Sequence, residues 1–178
     1  MTFAKSLRAG LLLLSGLTAC VQAPAALESE RPEKMAAGFY GQLRRQSVVG
    51  LPSVEAWQRL RPFCTDDLAS AVATARDRQD AFRRDHPGEK PPWVDGDLFS
   101  SLFEGPQTFQ LGEALRQGER AEVPVHCVHG EGAGATRWTD WLILRRSAAG
   151  WRVEDLRYGG RWDFALRGSL RQGLAAAD

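Results

Sequence analysis

The 178-residue chain reads as an α+β domain in which helices come first and an antiparallel sheet follows. Three observations predict this. Before residue 86, apolar residues recur at the three-and-four spacing of a helix with one buried face. After residue 107 the pattern switches to alternation, the mark of a half-buried strand. Between the two stands "HPGEKPPWVDG", residues 86–96, too rich in proline and glycine to be either. Helices followed by an antiparallel sheet of four or more strands pack on one face of that sheet.

The start of the chain reads as a targeting segment. Lys5 and Arg8 are the only charges before Glu28, and the apolar run from Ala9 to Ala19 is 11 residues long. A membrane-crossing helix needs about 20 apolar residues. A basic start, a short apolar run and small residues after it make a secretory signal. "LTAC", Leu17 to Cys20, resembles the bacterial lipobox. That resemblance implies a diacylglyceryl group on the Cys20 sulfur, cleavage before Cys20, and usually an acylated new amine. Residues 1–19 are then a lipoprotein signal peptide, 20–32 a lipidated N-terminus with a tether, and 33–178 a single α+β domain. Ordinary secretion, with cleavage after a small residue such as Ala25 in "APAA", is the other reading. At about 0.8 kcal/mol per buried methylene, two or three acyl chains hold a protein to a membrane stably. Val21, where an aspartate would favour inner-membrane retention in that family, implies the periplasmic face of the outer membrane.

Cleavage before Cys20 leaves 159 residues, enough for one domain with a real core. Loss of Lys5 and Arg8 takes the formal charge from +1 to −1. That balance argues against nucleic acid as a partner, which calls for a basic face. All basic residues except Lys5, Lys34 and Lys90 are arginine, a usage that codon bias explains. Residues 21–32, "VQAPAALESERP", read as a flexible tether with a reach of roughly 20 Å. Two further cysteines remain, Cys64 and Cys127. An exported protein sits where disulfides persist, and a Cys64–Cys127 bond would contribute on the order of 4 kcal/mol. Spacing cannot show that the two approach closely enough, and two separate buried thiols are the alternative.

The elements follow in order. From Glu33 to Val48 a helix would bury Ala36, Phe39, Tyr40 and Leu43, ending before Gly50 and Pro52. Ser53 is a good N-cap for a short helix through Val54, Trp57 and Leu60. Pro62 breaks the chain, and Thr65 caps a third helix. Asp66 and Asp67 suit the positive end of its dipole, and Leu68, Val72, Ala75 and Phe82 line its buried face. "DLFSSLFEGP" predicts one or two helical turns, with Asp97 as cap and Gly105-Pro106 as stop. "QTFQL" then alternates, burying Phe109 and Leu111. In "AEVPVHCV", Val123, Val125 and Cys127 share a face, and Pro124 predicts an edge strand or a bulge. "GEGAG" is a hairpin loop. "TRWTDWLILRR" and "WRVEDLRY" make a second hairpin around "SAAG". "RWDFAL" and an amphipathic tail through Leu170 and Leu174 close the chain.

Four blocks, "FYGQLR", "LRPFCTDDL", "GDLFSSLFEGPQTFQLG" and "WTDWLILRRSAAGWRVEDLRYGG", carry a further resemblance over residues 35–175. They resemble an uncharacterised family of bacterial envelope lipoproteins with a domain of unknown function. That family resembles the nuclear transport factor 2-like superfamily, a cone in which a curved sheet wraps a long helix. The cone hosts dehydratases, isomerases, transport adaptors and binding modules, so it does not select a function.

An active site in such a cone would place a His and a carboxylate near its mouth. The candidates are Asp140 in "WTDW", Asp155 in "RVED", and His126. The plainer account is that Asp140 and Asp155 pair with arginines such as Arg61 or Arg152, or take backbone amides at a bulge. His126 and His129 sit three apart on one strand and so face opposite ways, which leaves "HCVH" without the ligands of a metal site. "VDGD", with Asp95 and Asp97 ahead of Glu104, lacks the spacing of a calcium loop. No nucleophile, zinc or nucleotide signature appears, and no cofactor or metal is expected. Of the six tryptophans, Trp138 and Trp141 face opposite ways, and Trp93, in a loop, is the one to touch a partner. The expected function is a membrane-anchored, non-enzymatic periplasmic lipoprotein binding an envelope protein or a small molecule. The alternatives are a small acid–base enzyme of dehydratase, isomerase or hydrolase type, using Asp140 or Asp155 with His126, and a purely structural envelope factor.

Overall fold

The computed structural model describes residues 31–176. The expected signal peptide, Cys20 and nearly all of the expected tether lie outside the described residues. No helix among those described is long and apolar enough to cross a membrane.

The chain is α+β. Helices α1 (Pro32–Gln46), α2 (Val54–Leu60) and α3 (Asp66–Asp85) precede strands β1 (Thr108–Leu111), β2 (Leu115–Gln117), β3 (Arg120–His129), β4 (Thr136–Ser147) and β5 (Gly150–Arg157), and α4 (Leu170–Ala175) ends it. Strand order in the curved antiparallel sheet is β1-β3-β4-β5, with β2 also paired to β3. Helix α1 packs on β1, β3 and β5, while α3 and α4 pack on β5. The core lies between. Phe39, Leu60, Leu68 and Val72 from the helices meet Val123, Val125, Leu142, Leu144, Trp151, Val153 and Leu156 from one sheet face. Each such large side chain contributes about 1.5–3 kcal/mol on full burial.

Local chemistry explains the helix boundaries. Ser53 accepts the Ala56 amide at 3.1 Å and Thr65 Oγ1 accepts the Leu68 amide at 3.2 Å, so each satisfies an orphan donor of the first turn. Helix α1 stops at Ser47, which turns left-handed at φ 45°. Gly50, at φ +62°, then passes so near the next loop that a Cβ would stand 2.2 Å from the Trp93 carbonyl oxygen. Leu51 N donates to that oxygen at 2.8 Å and Gly50 N to Gly96 O at 2.6 Å, which fixes the proline-rich loop on the end of α1.

Several expectations are corrected. Phe82 on α3 is half-buried and stacks on His86, while Gln79 takes the buried place and donates to Pro92 O at 2.6 Å. Residues 97–104 form turns rather than a helix. There Asp97 N donates to Phe103 O at 2.7 Å, and Ser100 Oγ accepts Leu102 N at 3.2 Å, which draws the backbone away from a helical ladder. Pro124 lies in an interior strand, paired with Trp141 on β4. Its carbonyl accepts Gly112 N at 2.8 Å, at the break between β1 and β2. The missing donor faces the same side, opposite Gly112, where pairing with β1 stops after Leu111. Strand β2 itself was unforeseen: its three residues are all exposed and carry no alternation.

Cys64 and Cys127 are separate, free and buried thiols. Cys64 bridges to Val153 on β5, whose register runs through Leu144 to Ala121 on β3, six residues short of Cys127. Strand spacings of ~4.8 Å and rises of ~3.4 Å per residue put the two on the order of 20 Å apart, well beyond the ~7 Å Cα limit of a disulfide. Burial pushes the Cys64 thiol up to about 12, and the Cys127 thiol higher still.

Candidate functional site

The side chains singled out from the sequence do not converge. Asp140 pairs across the sheet with Val125 and is fully buried on the core face. His126 pairs with Thr139, one residue further along each strand, and is therefore on the outer face. Its Nδ1 lies 3.0 Å from Thr139 Oγ1. Asp155 pairs with Ile143 on that same outer face and accepts the Leu156 and Arg171 amides at 2.8 and 3.0 Å. Asp140 and His126 thus lie on opposite sides of the sheet. Both carboxylates take backbone amides, and neither makes an arginine pair among the described residues.

Asp140 is a structural knot. Its Oδ2 accepts Ser101 N at 2.9 Å and Trp138 Nε1 at 2.8 Å; its Oδ1 accepts the Ser101 hydroxyl and Gly159 N, the latter at 2.9 Å. Ser101 Oγ in turn accepts Gly159 N and Gly160 N, each at 2.9 Å. Gly159 allows this close approach, since a Cβ there would stand 1.9 Å from the Thr139 carbonyl oxygen. The knot joins β4 and the chain after β5 to the turns at 97–105.

Those turns form one wall of a cleft of about 450 Å³. The other wall is the C-terminal half of α1, through Tyr40, Leu43 and Arg44, with Val48 and Val49 after it. Phe99 lines the inner part, and Phe103 and Val49 stand at the mouth, 54% and 62% exposed. Gly96 makes room for the Phe103 ring: a Cβ there would meet it at 2.5 Å. Arg44 holds the two walls together, its guanidinium donating to Pro106 O at 2.8 Å and Gln107 O at 3.0 Å.

Two polar groups are under-used in this cleft. Asp97 Oδ1 accepts Phe99 N at 2.7 Å, whereas Oδ2 makes no hydrogen bond among the described residues. Burial, chiefly, pushes the Asp97 carboxyl up to about 6; the Phe99 amide opposes the shift and the charge of Asp140 adds to it. The hydroxyl of buried Tyr40 has no partner among the described residues. Its burial pushes the phenol upward, so it stays neutral. An apolar concavity with a few polar groups and a perturbed carboxyl is the usual form of a small-ligand site. Among the described residues no group of three or more His, Cys, Asp and Glu side chains could hold a metal ion.

Trp93 is not a free anchor. Its indole Nε1 donates to Gly173 O at 3.2 Å and it is half-buried against the core. Trp138 is buried, while Trp141 lies on the outer face beneath the Arg157 guanidinium, 4.3 Å from its ring centroid. Sequence reasoning read Asp97 as a cap and Tyr40 as core, and gave Arg44, Val49 and Phe103 no role. The usable signals were the Val48-Val49 pair beyond the periodic part of α1 and a phenylalanine directly before Glu104-Gly105.

No family model matches the chain, and no curated protein matches it. Its structure is similar to a chain in the crystal structure of the type VI native effector–immunity complex Tae3–Tai3 from Ralstonia pickettii, at 20% identity and a TM-score of 0.39. The likeness covers 75% of this chain and 98% of that one. It is a partial overlap of architecture and carries no functional argument.

Proposed function

We propose that this protein is a lipid-anchored, non-enzymatic component of the bacterial cell envelope, on the periplasmic face of the outer membrane. Its folded domain binds an envelope protein or a small ligand in the α1 cleft. The cleft itself carries the binding part of this reading. Val49 and Phe103 stand exposed beside a half-buried carboxylate with an oxygen unengaged among the described residues, whereas Asp140, Asp155 and His126 do not assemble. Exposed apolar side chains around a concavity mark binding surfaces. The anchor rests on the "LTAC" segment. Cross-linked co-purification of the full chain from native membranes tests both parts. Val49→Asp and Phe103→Asp each lose the bound component while the chain stays membrane-associated. Cys20→Ser leaves the membrane fraction. Recovery of the same component by both cleft variants would remove the cleft from the function.

One observation favours an acid–base enzyme as the second reading. A carboxyl raised to about 6 is poised for proton transfer near neutral pH, so Asp97 replaces Asp140, Asp155 and His126 as its candidate. Turnover of an envelope substrate that Asp97→Asn abolishes would put this reading first.

A further inference from the structure

The cleft has a charge preference. We propose that it binds an aliphatic ammonium group, with the charged nitrogen against Asp97 Oδ2 and the methylenes along Leu43, Phe99 and Phe103. This rests on the reading of the cleft as the binding site. Three features select the ligand. Asp97 is half-buried and offers an oxygen without a hydrogen bond among the described residues. Tyr40 lines the same wall, and its buried hydroxyl stays neutral and brings no charge to the cleft. The cation of the lining, Arg44, is held by the Pro106 and Gln107 carbonyls.

An anion would meet Asp97 and Glu104 in the lining. A wholly apolar ligand would strip water from a carboxylate and return no counter-charge. An ammonium on an aliphatic stem satisfies the carboxylate and still buries carbon on the apolar walls. Free alkylamines and the lysine side chain of a protein partner share this chemistry.

Binding is linked to pH because the ammonium requires the carboxylate form. The groups facing Asp97 are Tyr40 and Arg44 from α1, Cys127 from β3, Asp140 from β4, and Tyr158 after β5. Burial holds Tyr40, Cys127 and Tyr158 neutral through the physiological range. Affinity therefore rises as pH rises through about 6, the Asp97 value.

The test titrates the full-length, detergent-solubilised protein with pentylamine, pentan-1-ol, pentanoate and N-acetyl-lysinamide. Calorimetry gives the affinity, and amide-shift mapping gives the place. Pentylamine binds at residues 40–49 and 96–106, about tenfold more weakly at pH 5 than at pH 7.5. Pentanol and pentanoate bind at least tenfold more weakly than pentylamine at pH 7.5. Asp97→Asn abolishes the pH dependence and most of the affinity. The asparagine oxygen still accepts the Phe99 amide, so the turn is kept; Phe103→Asp is a second variant on the opposite lip. Tighter binding of N-acetyl-lysinamide than of pentylamine assigns the site to a lysine side chain, and the reverse order to a free amine. Equal binding of pentanol, or pH-independent binding of pentylamine, overturns the ammonium proposal and leaves the cleft a binding site. Absence of any shift at these residues with all four probes, together with unaltered membrane partners for Phe103→Asp, overturns both.

Discussion

Replacing Asp140 by alanine removes the acceptor of four hydrogen bonds at a fully buried point of the sheet. The Ser101 hydroxyl can rotate to another acceptor. The Ser101 amide and the Trp138 indole N–H cannot, because backbone and packed ring fix them, whereas the Gly159 amide keeps its bond to Ser101 Oγ. A buried donor left unpaired costs about 1–3 kcal/mol. Water entering the vacated space offsets part of this. The expected loss is about 3–5 kcal/mol, a large share of the ~5–15 kcal/mol that holds a domain of this size. Urea denaturation followed by tryptophan fluorescence measures it, with the wild-type slope as the check that both unfold alike. Asp155→Ala is the control. Its carboxylate also takes two amides, but on the half-buried outer face, where water replaces it for under about 1 kcal/mol. If Asp140→Ala costs no more than Asp155→Ala, the knot is not what joins the 97–105 turns to the sheet.

Thiol titration of unreduced protein should find Cys64 and Cys127 unreactive when folded and both reactive in denaturant; their absence from the denatured count would establish the disulfide that the structure lacks. Asp97 has a raised folded-state value, so the native state binds the extra proton and its stabilising effect is full below the unfolded value near 4 and lost as pH rises through about 6. Asp97→Asn mimics the protonated form. It should raise the denaturation midpoint at pH 8 and leave it unchanged at pH 4; equal effects at both pH values would show that the carboxyl is not desolvated. Gly105→Ala should destabilise by about 1–3 kcal/mol in the same urea assay, because φ is +72° and the new methyl would stand 2.4 Å from Asp97 Oδ2. A neutral result would mean that the turn can relax away from the carboxylate.

Much of the architecture was legible because it depends on local chemistry. The buried faces of α1 and β3, the Ser53 and Thr65 caps and the last hairpin follow from periodicity and from side chains that satisfy orphan amides nearby. The strand period also separates Asp140 from His126, since pairing Val125 with Asp140 puts His126 on the other face. That inference needed the register between β3 and β4, which no single strand contains. Residues 97–104 misled because their helical spacing competes with contacts made far along the chain: Ser101 turns to Asp140 and to Gly159.

The three leading helices, the four longer strands, the Ser53 and Thr65 caps and the breaks at Gly and Pro were set by neighbours within a few residues, which is why the sequence alone determined them. So was the expectation of a discarded leader and a lipidated Cys20, which depends on a short linear segment. The cleft was decided by tertiary structure. Tyr40, Asp97 and Phe103 come together only when α1 docks on the sheet and Asp140 draws the 97–105 turns inward. The raised carboxyl of Asp97 is a property of that enclosure. Exclusion of water is a collective result of packing, and no residue carries it by itself.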